Sequence, residues 1–574
     1  MQTGRTSKVI PLILLIAIML SACSIEVRNP DGKDISSTRS PEPTRQTSAT
    51  SGSSDETSDP GGTETDPEHE ITAFVTFSVD MTVENGEISP YIYGRNFYEN
   101  ETFSEHRYTF GRIGGNRWTA YNWENNASNA GSDWYFHSDG YLSSSDKPAV
   151  AVMDRVSAIF ENQATALVTV PIQGYVAKDK IGIDVRATED YLTNHFLKNV
   201  AFHPGETGDA PDITDEYVYQ DEFVRYLERA FPTAERNGER IFYSLDNEPS
   251  LWAYTHEEIQ LEPISYEELA EKNIEYARAI KSVVPDARIF GFVGYGYGAF
   301  IDLQGAPDSD LHGEFIDFYL KQMKRAEDEY GVRLVDVLDI HWYPEARDRS
   351  GNRITEESGD ADMTRARVQA PRSLWDTGYI ESSWITDVFG RPIALLPWLF
   401  EKIDQYYPET KLSISEYYFG GSHHISGAIA QADFLGIIGR EGVYAAALWP
   451  PLDMKDSYTE AAFDMYLDYD GNGSSFGDIS IYAQSSDWES TSVYASVFSD
   501  DPDKMVLIAI NKTGEWTEAT MDMKTTGARF DRVEVFRLSE AFPAPELIAS
   551  LESEDENFSV ELAPYSIQCL VLNR

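Results

Sequence analysis

The chain reads as α/β: a (β/α)8 TIM barrel with a smaller all-β sandwich domain. Three observations predict it: eight short apolar runs alternating with amphipathic helical stretches, a pair of glutamates at the ends of two of those runs, and a C-terminal tail of strands without helices. The runs are 92–97, 109–113, 166–172, 241–245, 288–293, 337–343, 412–417 and 445–449. Helical patterns fall between them at 149–161, 222–236, 266–283, 314–330, 392–406 and 425–440. Strands alternating with helices imply parallel βα units, and eight units suggest closure into a barrel. An open doubly wound sheet is the competitor, disfavoured because no glycine-rich phosphate loop follows the first strand.

From about residue 480 the pattern changes to short runs (491–498, 505–510, 532–537, 566–572) separated by polar turns, which reads as a β-sandwich. The alternating stretch Ala73-Phe74-Val75-Thr76-Phe77-Ser78-Val79 precedes the first barrel strand and is expected to join it. The resulting division is a signal segment at 1–22, a tether at 23–70, sandwich strand(s) at 71–90, the barrel at 91–475 and the sandwich at 476–574.

The N-terminus carries Arg5 and Lys8 before an apolar run from Val9 to Leu20, too short for a comfortable membrane span. Leu20-Ser21-Ala22-Cys23 resembles the bacterial lipobox, in which the chain is cut before the cysteine and Cys23 is lipidated. An ordinary secretory signal with a chance cysteine is the alternative. Residues 24–70 are rich in Ser, Thr, Pro, Gly, Asp and Glu, with no aromatic residue, and read as a disordered tether. Together these features place the protein on the extracellular face of a bacterial membrane. The only other cysteine is Cys569, so packing or metals must hold the fold.

Basic residues number 46 against 96 acidic ones, a net charge of −50, which argues against a nucleic-acid partner. It suits a soluble extracellular protein acting on a neutral polymer, although acidity equally reflects solubility or habitat. A monomer is expected.

The glutamates carry the chemistry. Asp246-Asn247-Glu248-Pro249 follows the fourth run, and Ser415-Glu416-Tyr417 ends the seventh. Paired carboxylates at strand C-termini over a barrel suit glycoside hydrolysis, in which one protonates the leaving oxygen and the other meets the charge at the anomeric carbon. Glu248 is assigned as acid/base and Glu416 as nucleophile, with Pro249 expected to hold Glu248 extended. Asn247 is placed on the sugar 2-hydroxyl. In Asp339-Ile340-His341-Trp342-Tyr343, alternation sends Asp339, His341 and Tyr343 to one side, so Tyr343 is expected to donate to the nucleophile with His341 nearby. Arg112 is read as support for the nucleophile, and Gly114-Gly115-Asn116 as a turn that lets sugar approach the backbone. Trp118, Trp252 and Trp449 are stacking candidates, the last two favoured. Asp468-Tyr469-Asp470-Gly471-Asn472-Gly473 looks like part of a calcium loop but reads better as a tight turn. No metal site is assigned.

These blocks, with Ile88-Ser89-Pro90-Tyr91-Ile92-Tyr93-Gly94, Tyr121-Asn122-Trp123 and Ser132-Asp133-Trp134-Tyr135-Phe136, resemble glycoside hydrolase family 44 in family order from about residue 72 onward. The resemblance implies retaining endo-hydrolysis of β-1,4-glucans, including cellulose derivatives and xyloglucan, with Glu248 and Glu416 at the family's acid/base and nucleophile positions. It implies no required cofactor and admits a structural calcium ion with no ligands assigned. Arg117 departs from the pattern, where a smaller residue is expected. The polar stretch 347–383, with Glu356, Glu357, Asp360 and Asp362, is a candidate cleft loop. Alternatives are a hydrolase of mannan or xylan, and a cell-surface lipoprotein that binds glycan without cutting it.

Overall fold

The computed structural model describes residues 69–574 except 97–104, 206–207, 209, 234–239, 452, 502, 525–529 and 553–557. The expected signal segment, Cys23 and nearly all of the tether lie outside the described residues. Among the described residues no helix is long and apolar enough to cross a membrane.

Eight parallel strands close a barrel: Tyr91–Asn96, Phe110–Ile113, Thr165–Val170, Ile241–Leu245, Ile289–Tyr295, Val337–Trp342, Lys411–Tyr417 and Ala445–Leu448. Pairing of the eighth strand with the first, through Leu448 and Arg95, completes the ring. Each strand coincides with one apolar run, because strands covered on both faces are apolar almost throughout. The six foreseen helices are present; Tyr266–Val283, for example, starts where the Ser265 side chain accepts from the Glu268 amide. The helices not foreseen include Tyr458–Leu467, buried on nearly every side and opened by a Ser457/Glu460 capping box, and Ala361–Gln369, inside the polar stretch expected to be a loop.

The barrel interior is layered. Phe110, Leu167, Phe242, Phe290, Val337 and Ala445 form an apolar floor. On two of these strands the positions two residues further along turn polar: Phe110 gives way to Arg112, and Val337 to Asp339 and then His341. The period of two along a strand therefore raises charged groups toward the C-terminal rim while the floor stays dry.

The smaller domain is all-β as expected, and its nine strands form one continuous curled sheet rather than two separate ladders. Its order is Glu546–Glu552, Arg532–Leu538, Ser566–Asn573, Lys504–Asn511, Thr491–Val497, Ile479–Ser485, Ala73–Glu87, Thr517–Lys524 and Ser559–Leu562. The N-terminal strand joins it, antiparallel to Ile479–Ser485 and parallel to Thr517–Lys524. Phe77, Leu507, Met521, Val533 and Leu570 share one inner core, so the curl closes the sheet on itself. The alternate residues Val506, Ile508 and Ile510 pack into the barrel's core instead. A buried ion pair marks that seam: Lys512 Nζ lies 2.8 Å from Asp433 of helix Ile425–Glu441, and Tyr494 donates to the same carboxylate at 2.7 Å.

Candidate active site

Glu416 sits near the end of the seventh strand, where the register slips. Ile340 pairs with Ile414 but His341 pairs with Glu416, leaving Ser415 as an extra residue. That bulge brings Glu416 level with His341, a common use of bulges at barrel rims. Ser415 turns its hydroxyl to Asp339 Oδ2 at 2.8 Å.

Glu248 follows the fourth strand, and here the expectation of an extended backbone is corrected: its φ/ψ is 44°/57°, left-handed. Pro249 excludes the right-handed region at the preceding residue. The chain must nevertheless turn at once into the short helical segment Pro249–Leu251, and the left-handed region is the compact conformation that remains. The Glu248 amide is held by Val293 O at 3.1 Å.

The two carboxylates and His341 converge, with one ligand atom from each lying within 4.8 Å of the others. His341 Nδ1 is 2.7 Å from Glu248 Oε1 and 3.5 Å from Glu416 Oε2. Arg112, fully buried, lies 2.6 Å from Glu416 Oε1, and the Tyr343 hydroxyl donates to Oε2 at 2.8 Å. The guanidinium also donates to Asn96 Oδ1 at 2.9 Å and Asn247 Oδ1 at 2.8 Å. Asn247 Nδ2 in turn reaches Asn116 Oδ1 at 3.3 Å, and Asn116 Nδ2 donates to Asp133 at 2.8 Å.

These environments separate the carboxyls. Burial pushes the Glu248 carboxyl up to about 8, against an opposing pull from Arg112. Burial drives His341 down to about 3, so its imidazole is neutral. Asp246 and Asp339 are raised by burial to about 6. Among the described residues the trio Glu248, His341 and Glu416 is the one grouping of three potential metal-ligand side chains. A nitrogen ligand and an adjacent guanidinium do not suit the hard, all-oxygen shell of calcium. The Asp468–Gly473 stretch is a turn in which Asp470 Oδ1 accepts from the Asn472 and Ser474 amides.

Two of the three stacking candidates are corrected. Trp252 is wholly buried and its indole donates to Asn247 O at 3.0 Å, which leaves no face for a sugar. Trp118 is also buried, edge-on to Tyr121. Trp449 is half-buried and lies over Gly115. A Cβ on that glycine (φ 100°) would come within 2.7 Å of the ring, so the Gly-Gly turn makes room for Trp449 and the Arg112 guanidinium. Arg117 is occupied by Asp139 at 2.7 Å and the Tyr141 ring at 4.3 Å. Glu357 of the candidate cleft loop accepts from Tyr418, and from the Ser422 amide at 2.8 Å, stitching that loop to the segment after Glu416. Asn96, which anchors Arg112, was not singled out; its place at the end of the first strand was the available signal.

The family model of glycoside hydrolase family 44 matches residues 127–346, a span containing Glu248 and His341 through Tyr343. The chain is similar to Endoglucanase A of Paenibacillus lautus, 44% identical over 454 residues, covering 76% of this chain and 64% of that protein. It is also similar to the Beta-mannanase/endoglucanase A of Caldicellulosiruptor saccharolyticus, 38% identical over 519 residues, covering 86% of this chain and 38% of that protein. The chain thus spans less than two thirds of either curated relative's length. The structure of a Paenibacillus polymyxa family 44 xyloglucanase with xyloglucan superposes with a TM-score of 0.83 at 37% identity, over 87% of this chain and 100% of that one. With that likeness extending over the whole of a solved relative, barrel and curled sheet together, the chain belongs to glycoside hydrolase family 44.

Proposed function

We propose that the protein is a retaining endo-hydrolase of β-1,4-glucan backbones, cellulose derivatives and xyloglucan among them, working by double displacement with Glu248 as acid/base and Glu416 as nucleophile. The observation that carries this reading is the unequal setting of two carboxylates within 4.8 Å. One is buried with a raised proton affinity, and the other is held by a guanidinium and a phenol. Retention needs a carboxyl separation of about 5–5.5 Å, and nearest oxygens within 4.8 Å agree with it.

In the first step Glu416 attacks the anomeric carbon while Glu248 gives its proton to the departing glycosidic oxygen. Neutral His341 carries one ring hydrogen. With that hydrogen on Nδ1 and directed to Glu248 Oε1, the acid's own proton sits on Oε2, the oxygen left for substrate. Arg112 and Tyr343 hold the Glu416 oxygens in line. In the second step the ionised Glu248 takes a proton from water, whose oxygen displaces Glu416 and restores both carboxyls. Asn247 spends its oxygen on Arg112 and one amide hydrogen on Asn116, so a single N–H remains to meet the sugar 2-hydroxyl. That contact strengthens as the anomeric carbon becomes cationic. Trp449 supplies the stacking surface. No step passes through a metal or organic cofactor.

The names of the relatives, endoglucanase and xyloglucanase, support the choice of glucan. The lipobox-like Leu20-Ser21-Ala22-Cys23 supports a further element: the enzyme works as a monomer from a lipid anchor on Cys23 at the outer face of a bacterial membrane. The test is reducing-end release from xyloglucan, carboxymethyl-cellulose, glucomannan and xylan, with Glu416→Gln in parallel. Cleavage of the glucans that is lost in Glu416→Gln is the expected result. A preference for glucomannan would move the assignment to mannan, and well-folded protein that cuts none of them would make it a glycan-binding lipoprotein.

A further inference from the structure

Behind the site lies a buried ionisable pair that the reaction does not use. His256 and Glu258 follow the short helix Trp252–Thr255, and both side chains are fully enclosed. His256 Nδ1 is 2.8 Å from Glu258 Oε1, and its Nε2 is 2.8 Å from the backbone oxygen of Asn116. A carbonyl only accepts, so Nε2 must carry a hydrogen; the remaining proton of the pair lies between Nδ1 and the carboxylate. The ring is wedged in place by Gly131 (φ 53°), where a Cβ would come within 2.9 Å of Cε1. The pair therefore clamps the backbone of Asn116, while Asp133 takes that residue's side-chain amide at 2.8 Å.

The Asn247 amide nitrogen donates to Asn116 Oδ1 at 3.3 Å, and Asn247 Oδ1 takes the Arg112 nitrogen that does not face Glu416. A hydrogen-bonded series thus runs Glu258, His256, Asn116, Asn247, Arg112, Glu416. We propose that the His256–Glu258 pair is a positioning element of the active site, fixing through Asn116 the amide of Asn247 that meets the sugar 2-hydroxyl. The inference rests on the reading of Asn247 given above. Its physical basis is that a misplacement of about 1 Å in a group bound to the transition state can cost on the order of 100-fold in rate.

A double-mutant cycle in kcat on xyloglucan or carboxymethyl-cellulose, with thermal unfolding recorded for each variant, tests it. His256→Ala is expected to lower kcat roughly tenfold with little change in KM, and to lower it less than about twofold in an Asn247→Ala background. His256→Gln, which keeps a donor for the Asn116 oxygen, is expected to recover most of the loss. If His256→Ala does not fold, Glu258→Gln enters the same cycle, with an expected loss of about threefold that likewise disappears beside Asn247→Ala. An Asn247→Ala variant with unimpaired kcat would overturn the assignment of Asn247 and this inference with it. Losses that multiply in full in the double variant, or a lowered melting temperature with kcat intact, would overturn this inference alone and leave the pair a structural one.

Discussion

Replacing Glu248 by Gln should abolish acid/base catalysis and at the same time stabilise the protein, by an amount that depends on pH. The Glu248 carboxyl is raised from 4.5 to about 8, chiefly by burial. Below pH 4.5 it is protonated in both folded and unfolded chains and costs nothing. Between 4.5 and 8 the unfolded chain releases the proton while the native state keeps it, so stability falls as pH rises, and the loss is complete above the folded value. At pH 7 the loss is about 3 kcal/mol, at 1.36 kcal/mol per pH unit. For a folded unit of this size the unfolding entropy is roughly 1 kcal/mol per degree, so the loss corresponds to about 3 °C. Glutamine cannot ionise and escapes it. His341, Asp246 and Asp339 remain in both proteins, so their titrations cancel in the difference. The assay is the melting temperature of Glu248→Gln minus that of wild type at pH 4, 5.5, 7 and 8, and the difference should grow steadily across the series. A difference independent of pH, or one that turns negative by pH 8, would refute the claim that burial holds this carboxyl protonated.

Three further outcomes follow from the same contacts. Arg112→Lys keeps a charge but not the fork that joins Glu416, Asn96 and Asn247, so kcat/KM on a soluble glucan should fall by about 100-fold. A loss below threefold would mean that charge alone suffices. Tyr343→Phe removes one hydrogen bond to Glu416 Oε2 and should lower kcat by roughly tenfold, since a bond to a charged group is worth about 1.5–3 kcal/mol, with an unchanged melting temperature. Lys512→Met strands the Asp433 carboxylate at the seam between barrel and sheet and should destabilise the protein by about 3 kcal/mol, with much of the loss recovered in Lys512→Met/Asp433→Asn. Chemical denaturation of the three proteins measures it.

The barrel was legible because its strands are covered on both faces, which writes each of them as an uninterrupted apolar run; all eight lie where such runs occur. Helix Tyr458–Leu467 escaped because it is short and has almost no polar face, whereas the equally buried Ile425–Glu441 was legible from the length of its apolar run; Ala361–Gln369 escaped because its stretch is mostly polar. Arg112 and Glu416 could be placed by strand order and alternation, since those positions are fixed by the regular part of the fold, and Glu248 and Tyr343 by the motifs that continue their strands. The backbone turns and packing beyond a strand end were not legible. Neither the left-handed turn at Glu248 nor the burial of Trp252 beneath Asn247 has a sequence period. Both arise because the chain doubles back over its own strand end, packing Trp252 and His256 under the residues they follow. The partnership of Asn96 with Arg112 is set by the register of the first and second strands, in which the two residues face one another across the ladder, and no local pattern records that register.

The buried carboxyls at the rim differ in the donors each receives. Asp246 Oδ2 accepts from the Ile172 amide at 2.5 Å and the Gln173 amide at 3.1 Å, and Oδ1 from the Asn247 amide at 2.8 Å. Asp339 has the Ser415 hydroxyl and amide, the Ser413 hydroxyl and the field of Arg112. Glu416 has the guanidinium itself and the Tyr343 hydroxyl. Among the described residues Glu248 has the neutral imidazole of His341 as its hydrogen-bond partner. Hydrogen bonds to the ionised form lower a carboxyl's affinity for its proton and burial without them raises it, so the least-served group is the one that stays an acid. The guanidinium of Arg112 stands against Glu416 and not against Glu248. Glu248 thereby becomes the proton donor by default, which is the division of labour that a retaining mechanism requires of two otherwise identical side chains.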